Sequence, residues 1–198
     1  MFRNVLPIIA AGGPPVRAEA FDRPVSNAPL ALLHACHQRI RMFTDMAGQV
    51  ANAGAVTPDV AQAAAAVERY FFEALPKHVD DEEASLLPRL SSVPSCAEAL
   101  VEMVGQHRAL EEALAALRPH WRALALGAEQ PGPLPAPLPG LTARMAALWA
   151  PHLELEEREL FPFVEAMEPG ERDAVWREMR SRRARTVGLT DGAADARR

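Results

Sequence analysis

The sequence predicts an all-α protein: an up-down antiparallel four-helix bundle with a pseudo-two-fold repeat, plus a short C-terminal helix. Three observations predict it. Apolar residues recur at three- and four-residue steps through four long stretches, the period of helices that bury one face. Ala and Leu dominate those stretches while β-branched residues are sparse, which favours helix over strand. The chain also repeats itself. HVDDEEASLLPRL from His78 aligns with HLELEERELFPFV from His152, and each word follows a helical stripe with a histidine at its middle. Two helical hairpins of one design make such a bundle.

Taken in order, residues 1–28 carry prolines and glycines without periodicity and read as a loose arm. Pro29 suits the first turn of a helix, where its missing N–H costs nothing. A stripe of Leu30, Leu33, His37, Ile40, Thr44 and Ala47 follows, ending near Asn52-Ala53-Gly54. Thr57-Pro58-Asp59 is a helix start, with threonine as cap and proline in the first turn. The second stripe is Val67, Phe71, Leu75, His78, Glu82, Leu86 and Leu90, with a bend expected at Pro76. Ser91 to Pro94 ends it and opens the third: Leu100, Val104, His107, Leu110, Leu114, Leu117 and Trp121, with a kink expected at Pro119.

The Pro/Gly-rich segment Gly127 to Gly140 reads as a non-helical linker. A fourth stripe runs Leu141, Met145, Leu148, His152, Leu155 with Glu156, Leu160 and Phe163, and Pro169-Gly170 stops it. A short fifth helix from Glu171 to about Arg185 carries Val175, Trp176 and Met179 on one side. Arg172, Arg177, Arg180, Arg182, Arg183 and Arg185 form the other, read as a solvated face. The bundle thus spans 29–168, with the short helix and a frayed tail over 169–198.

The chain has 198 residues, long enough to bury a sizeable core in one domain. Apolar residues make up 49% and charged residues 24%, an ordinary globular composition, and a formal charge of −5 argues against a nucleic-acid surface. Two cysteines, Cys36 and Cys96, are too few for a disulfide framework and read as free thiols in a reducing compartment. No apolar run reaches the ~20 residues a membrane span needs. The first residues mimic a signal peptide only loosely, so the cytoplasm is expected.

Each apolar stripe is interrupted by a histidine, and two carry a glutamate one turn further on. Residues i and i+4 share a helix face, so His78/Glu82 and His152/Glu156 each present an imidazole and a carboxylate to the core. Burying unpaired carboxylates together is costly, and a cation between them reverses the sign. Four imidazoles (His37, His78, His107, His152) and two carboxylates (Glu82, Glu156) suit borderline divalent metals, iron foremost and zinc or manganese after it. The count fits two ions. If both glutamates bridge, each ion receives two histidines and two carboxylate oxygens.

The ordered pattern H…HxxxE…H…HxxxE and its flanking words HVDDEEASLLP and HLELEERELFP resemble the hemerythrin-like (HHE) domain proteins over about residues 30–165. The resemblance implies a non-haem di-iron centre, oxo- or hydroxo-bridged, that binds or reacts with dioxygen, peroxide or nitric oxide. Oxygen-carrying members have a further histidine on the third helix, where this chain offers Met103 and Glu111, and an aspartate where Glu157 stands. Reversible carriage is therefore set against a more open, reactive centre such as a peroxidase, ferroxidase or nitric oxide reductase. Glu111, Glu157 and His34 are the further ligand candidates. His120 reads as surface, Glu83 as solvated or paired, and Tyr70 and the methionines Met103 and Met145 as packing.

Overall fold

The computed structural model describes residues 27–127 and 132–191, with side chains to 184. Most of the expected arm, the tail after 191, residues 128–131 of the linker and the Arg185 side chain lie outside that range. Among the described residues all regular structure is helical, and no helix is long and apolar enough to cross a membrane.

Helix α1 spans Ala28–Ala51, with Pro29 in its first turn. Helix α2 spans Pro58–Arg69 and starts as its residues dictate: the Thr57 hydroxyl accepts from the Val60 N–H. Replacing Thr57 with alanine is expected to cost about 1 kcal/mol in urea unfolding, the worth of such a cap. A rod then continues to Leu90 through a π turn at Tyr70–Ala74, α3 (Leu75–Asp81), a π turn at Glu82–Leu86 and α4 (Leu87–Leu90). Helix α5 spans Ala97–Leu126. Helix α6 spans Leu138–Leu155 and runs through a π turn at Glu156–Leu160 into α7 (Phe161–Glu165), and α8 spans Pro169–Asp191.

All three π turns share one feature visible in the sequence. Each ends on a residue that donates five positions back, Leu75 to Tyr70, Leu87 to Glu82 and Phe161 to Glu156, and the next residue is Pro76, Pro88 or Pro162. Proline has no N–H and its ring crowds the carbonyl four residues behind it. Widening the preceding turn accommodates both effects. The distortion expected at Pro76 therefore takes the form of a π turn ahead of the proline. Pro119 lies inside α5 without interrupting it.

The buried apolar residues form two cores. The larger holds Ile40, Phe71, Leu75, Leu110, Trp121 and Trp149, and the smaller holds Leu33, Leu86, Met103, Leu160 and Phe161. On every long element the polar stripe residue falls between members of the two. His37 follows Leu33 and precedes Ile40; His78 and Glu82 separate Leu75 from Leu86. His107 separates Met103 from Leu110, and His152 with Glu156 separates Trp149 from Leu160. Helix α1 packs on α2 and α6, and α5 packs on the same two. A polar layer thus cuts across the interior of a helical bundle.

Three expectations are corrected. The linker stops short of Gly140: α6 begins at Leu138, because Leu138 is fully buried in the larger core and Pro139 fits a first turn. The C-terminal helix is not short. It has 23 residues, and it is docked, with Val175 and Met179 fully buried in the smaller core. Nor are its arginines simply solvated. Arg182 donates to Asp81 Oδ1 at 2.8 Å and to Ser85 Oγ at 2.6 Å, and Arg183 donates to Asp81 Oδ2. Asp81 is wholly buried, so it needs that compensation.

Candidate metal centre

The six stripe residues converge. His37, His78, Glu82, His107, His152 and Glu156 are each at most 8% exposed. Their ligand-type atoms form two groups, His37, His78, Glu82 and Glu156 in one and Glu82, His107, His152 and Glu156 in the other, with all atoms of a group within 4.8 Å. Both glutamates belong to both groups. Glu82 and Glu156 each open a π turn, so the proline within each repeat word, Pro88 or Pro162, widens the helix at the carboxylate.

Each carboxylate divides its oxygens between the groups. Glu82 Oε1 lies 3.1 Å from His78 Nε2 while its Oε2 lies 3.3 Å from His107 Nε2. Glu156 Oε2 lies 3.0 Å from His37 Nε2 while its Oε1 lies 3.3 Å from His152 Nε2. The rings pair edge to face, His37 with His78 at 5.2 Å and His107 with His152 at 4.8 Å between centroids.

The outer nitrogens explain the orientation. His37 Nδ1 lies 2.8 Å from Glu157 Oε1, His107 Nδ1 lies 2.7 Å from Glu83 Oε1, and His152 Nδ1 lies 3.0 Å from Gln106 Oε1. These oxygens are acceptors, so each Nδ1 carries the hydrogen and each Nε2 turns a lone pair inward. The arrangement crosses the repeat: Glu83, beside Glu82, serves a histidine of the second half, and Glu157, beside Glu156, serves one of the first. Burial would raise the Glu157 carboxyl, but hydrogen bonds from His37 and Arg41 prevail and hold it below the usual glutamate value.

Left to themselves, Glu82, Glu156, His78 and His152 are driven to neutrality. Burial pushes the Glu82 carboxyl well above its ordinary value, and burial with the neighbouring Glu82 charge pushes Glu156 to about 8. Burial, reinforced by the surrounding histidines, holds His78 well below the imidazole range and His152 down at about 3. A protonated Glu156 can donate to His37 Nε2 at 3.0 Å. Much of the rest goes unpaired. His78 Nε2, both oxygens of Glu82, His107 Nε2, His152 Nε2 and Glu156 Oε1 are buried without a hydrogen-bond partner among the described residues, despite their close approaches. Lone pairs that converge on a shared space and not on donors are what a cation satisfies, and imidazole with carboxylate suits iron, zinc or manganese.

The other weighed residues are placed as follows. Glu157 bonds the back of His37, and Glu111 is exposed and outside both groups. The His34 ring stands edge-on to Phe161 at 5.0 Å. Met103 and Met145 are core, and Tyr70 stacks on Phe43 at 4.0 Å. His120 is half-buried and does not lie fully on the surface. Sequence reasoning missed Glu83 and Gln106 as partners of the histidines. The repeated Glu-Glu doublet was a usable sign of the first; Gln106 acts across helices and left none.

Residues 28–164 match the family described as the hemerythrin HHE cation binding domain. No curated protein matches the chain.

Proposed function

Because the chain belongs to the hemerythrin HHE cation-binding domain family, we propose that it is a non-haem di-iron protein acting on a small oxidant: dioxygen, peroxide or nitric oxide. His37 and His78 would hold one iron, His107 and His152 the other, with Glu82 and Glu156 available to both. The observation that carries this reading is the set of buried, inward-facing atoms, most of them without partners, that falls into two groups sharing two carboxylates. Iron, when bound there, would supply the redox chemistry on the oxidant. The protein's part is to fix the imidazoles through Glu157, Glu83 and Gln106, and to bury the centre between two apolar cores that exclude water.

The reading includes an up-down antiparallel order for the four long elements. It is supported by the alternation of cores: α1 and α5 run from the smaller core to the larger, the 58–90 rod and α6 from the larger to the smaller. We take 29–168 as the bundle proper, with 1–28 and 169–198 as additions to it. Free Cys36 and Cys96 accord with a reducing compartment, the cytoplasm. An oxidoreductase is the second reading. It is favoured by the lack of a second histidine one turn from His107 on α5, where Met103 is core and Glu111 faces solvent.

Metal analysis of the full chain purified without chelator should find close to two irons. Under half an equivalent of any transition metal would reject the proposal. Exposing the reduced protein to oxygen separates the two readings, since a reversible adduct marks a binder and irreversible oxidation with peroxide consumption marks an enzyme.

A proton balance follows from Glu156. Its folded value of about 8 lies above the ordinary 4.5, so the stability its protonated form contributes is full below 4.5 and lost as pH rises through 8. At pH 7 it holds a proton that a cation must displace. Adding ferrous or zinc ion to metal-free protein in weak buffer at pH 7 should acidify the solution by about one proton or more per chain. Affinity should climb with pH up to about 8 and then level. Uptake without proton release would contradict the carboxylate's place in the centre.

A further inference from the structure

We propose that the two metal positions are unequal: the one at His107 and His152 binds its cation more tightly and fills first, and the one at His37 and His78 is weaker because Cys36 stands where the second half has Gln106. The inference rests on the two-metal reading above and deepens it by ranking the positions. Three of the four imidazoles are held from behind. His37 and His107 turn Nδ1 to Glu157 and Glu83, and His152 turns Nδ1 to Gln106 Oε1 at 3.0 Å. His78 is the exception. Its Nδ1 is buried and has no hydrogen-bond partner among the described residues.

An imidazole anchored at its outer nitrogen keeps its tautomer and orientation and is the more basic ligand. Losing such an anchor typically costs roughly 10–100-fold in metal affinity. His152 has the anchor. When His78 Nε2 offers its lone pair to a cation, Nδ1 must carry the hydrogen, and that buried donor without an acceptor opposes binding. The other two histidines do not offset the difference. Each has a carboxylate behind it, and the one behind His37 is shared with Arg41.

The repeat locates the missing acceptor. Cys36 precedes His37 on α1 as Gln106 precedes His107 on α5, and Gln106 is the residue that reaches across to His152. At position 36 the side chain is shorter and its sulfur is a weak acceptor. That sulfur is moreover engaged elsewhere, accepting from Arg183 Nη2 of α8 at 3.9 Å. Burial and then the neighbouring histidines lower the His78 pKa most, and the Arg183 charge acts in the same direction. A positive charge that disfavours an imidazolium at this ring disfavours a cation beside it as well.

Zinc affinity, read on the full chain by competition with a chelating dye, tests the ranking. His37→Ala leaves Glu82, His107, His152 and Glu156 together, and His107→Ala leaves His37, His78, Glu82 and Glu156. Each variant should bind one zinc, His107→Ala about tenfold or more weakly than His37→Ala. Cys36→Gln added to His107→Ala should recover most of that gap, and Gln106→Leu added to His37→Ala should abolish it. Equal affinities in the two single variants, or the opposite order, would overturn the proposal. So would a Gln106→Leu without effect, which decides the matter should the larger side chain at position 36 unfold the protein. A second measurement removes no ligand. One equivalent of zinc added to the ¹⁵N-labelled parent should shift the ring signals of His107 and His152 before those of His37 and His78, and simultaneous or reversed shifts would overturn the ranking. A parent that binds no zinc would reject the two-metal reading itself, whereas two zinc ions held with equal affinity would reject the inequality alone.

Discussion

With two irons bound as proposed, replacing Glu82 with glutamine should cost the protein both, whereas replacing His37 with alanine should cost it one. The difference comes from geometry. Glu82 turns one oxygen toward His78 and the other toward His107, at 3.1 and 3.3 Å from their Nε2 atoms, so its carboxylate belongs to both groups. His37 belongs to one. Two cations held a few ångströms apart repel, and shared carboxylates offset that repulsion while neutralising each ion. With Glu82 neutral, one bridging charge remains for two ions, and metal per chain should fall from near two to below half. In His37→Ala the second group keeps its four members, and content should settle near one. Equal losses in the two variants would show that the carboxylate is not shared.

Folding stability supplies an independent check on the same residue. Burial raises the Glu82 carboxyl well above its ordinary value, so in metal-free protein the stability of its protonated form is lost as pH rises. Glutamine never ionises. Metal-free Glu82→Gln should therefore hold its stability at alkaline pH better than the metal-free parent, while the parent gains far more from iron. A site carboxylate is a liability to the fold that only its cation removes.

How much of this was legible follows from which residues act through their own helix. The six polar stripe residues were visible because each breaks an apolar period of three and four, a pattern a helix imposes on its own sequence. Their convergence was foreshadowed by the duplicated words from His78 and His152. The partners Glu83, Glu157 and Gln106 act across helices, and no period marks an interhelical hydrogen bond. The π turns were half legible: Pro76, Pro88 and Pro162 stood in the sequence, but Pro119 and Pro151 sit in uninterrupted helix, so proline alone does not mark them. The C-terminal helix was misread because over residues 171–185 six arginines accompany only three large apolar residues, Val175, Trp176 and Met179. Two of those arginines, Arg182 and Arg183, are mostly buried against Asp81, far away in sequence, and there the two repeats differ, for Asp81 in the first word stands where Leu155 stands in the second.

That aspartate gives the second large effect. Asp81→Ala should destabilise the protein by roughly 3–5 kcal/mol, the loss typical when one member of a buried ion pair is removed. Asp81 is fully buried and Arg182 and Arg183 are mostly so, and both carboxylate oxygens are engaged by guanidinium groups while Arg182 also holds Ser85. Without the carboxylate two cations face an apolar interior, and α8 must either leave with them or keep them desolvated. Leaving exposes Val175 and Met179, which it buries in the smaller core. The remaining tie, Arg89 to Glu171 and Glu178, is more exposed and contributes less. The second half of the chain suggests how to remove the charge harmlessly. Asp81→Leu, copying Leu155, combined with Arg182→Met and Arg183→Leu replaces the cluster by apolar volume and should return stability to within about 1–2 kcal/mol of the parent. Urea unfolding of the three proteins decides the matter. If Asp81→Ala loses less than about 1 kcal/mol, the clamp behaves as a surface pair and α8 is held by its apolar face alone. If the triple variant falls as far as the single one, Asp81 is needed for the orientation of its neighbours His78 and Glu82, and metal content should fall with stability in both.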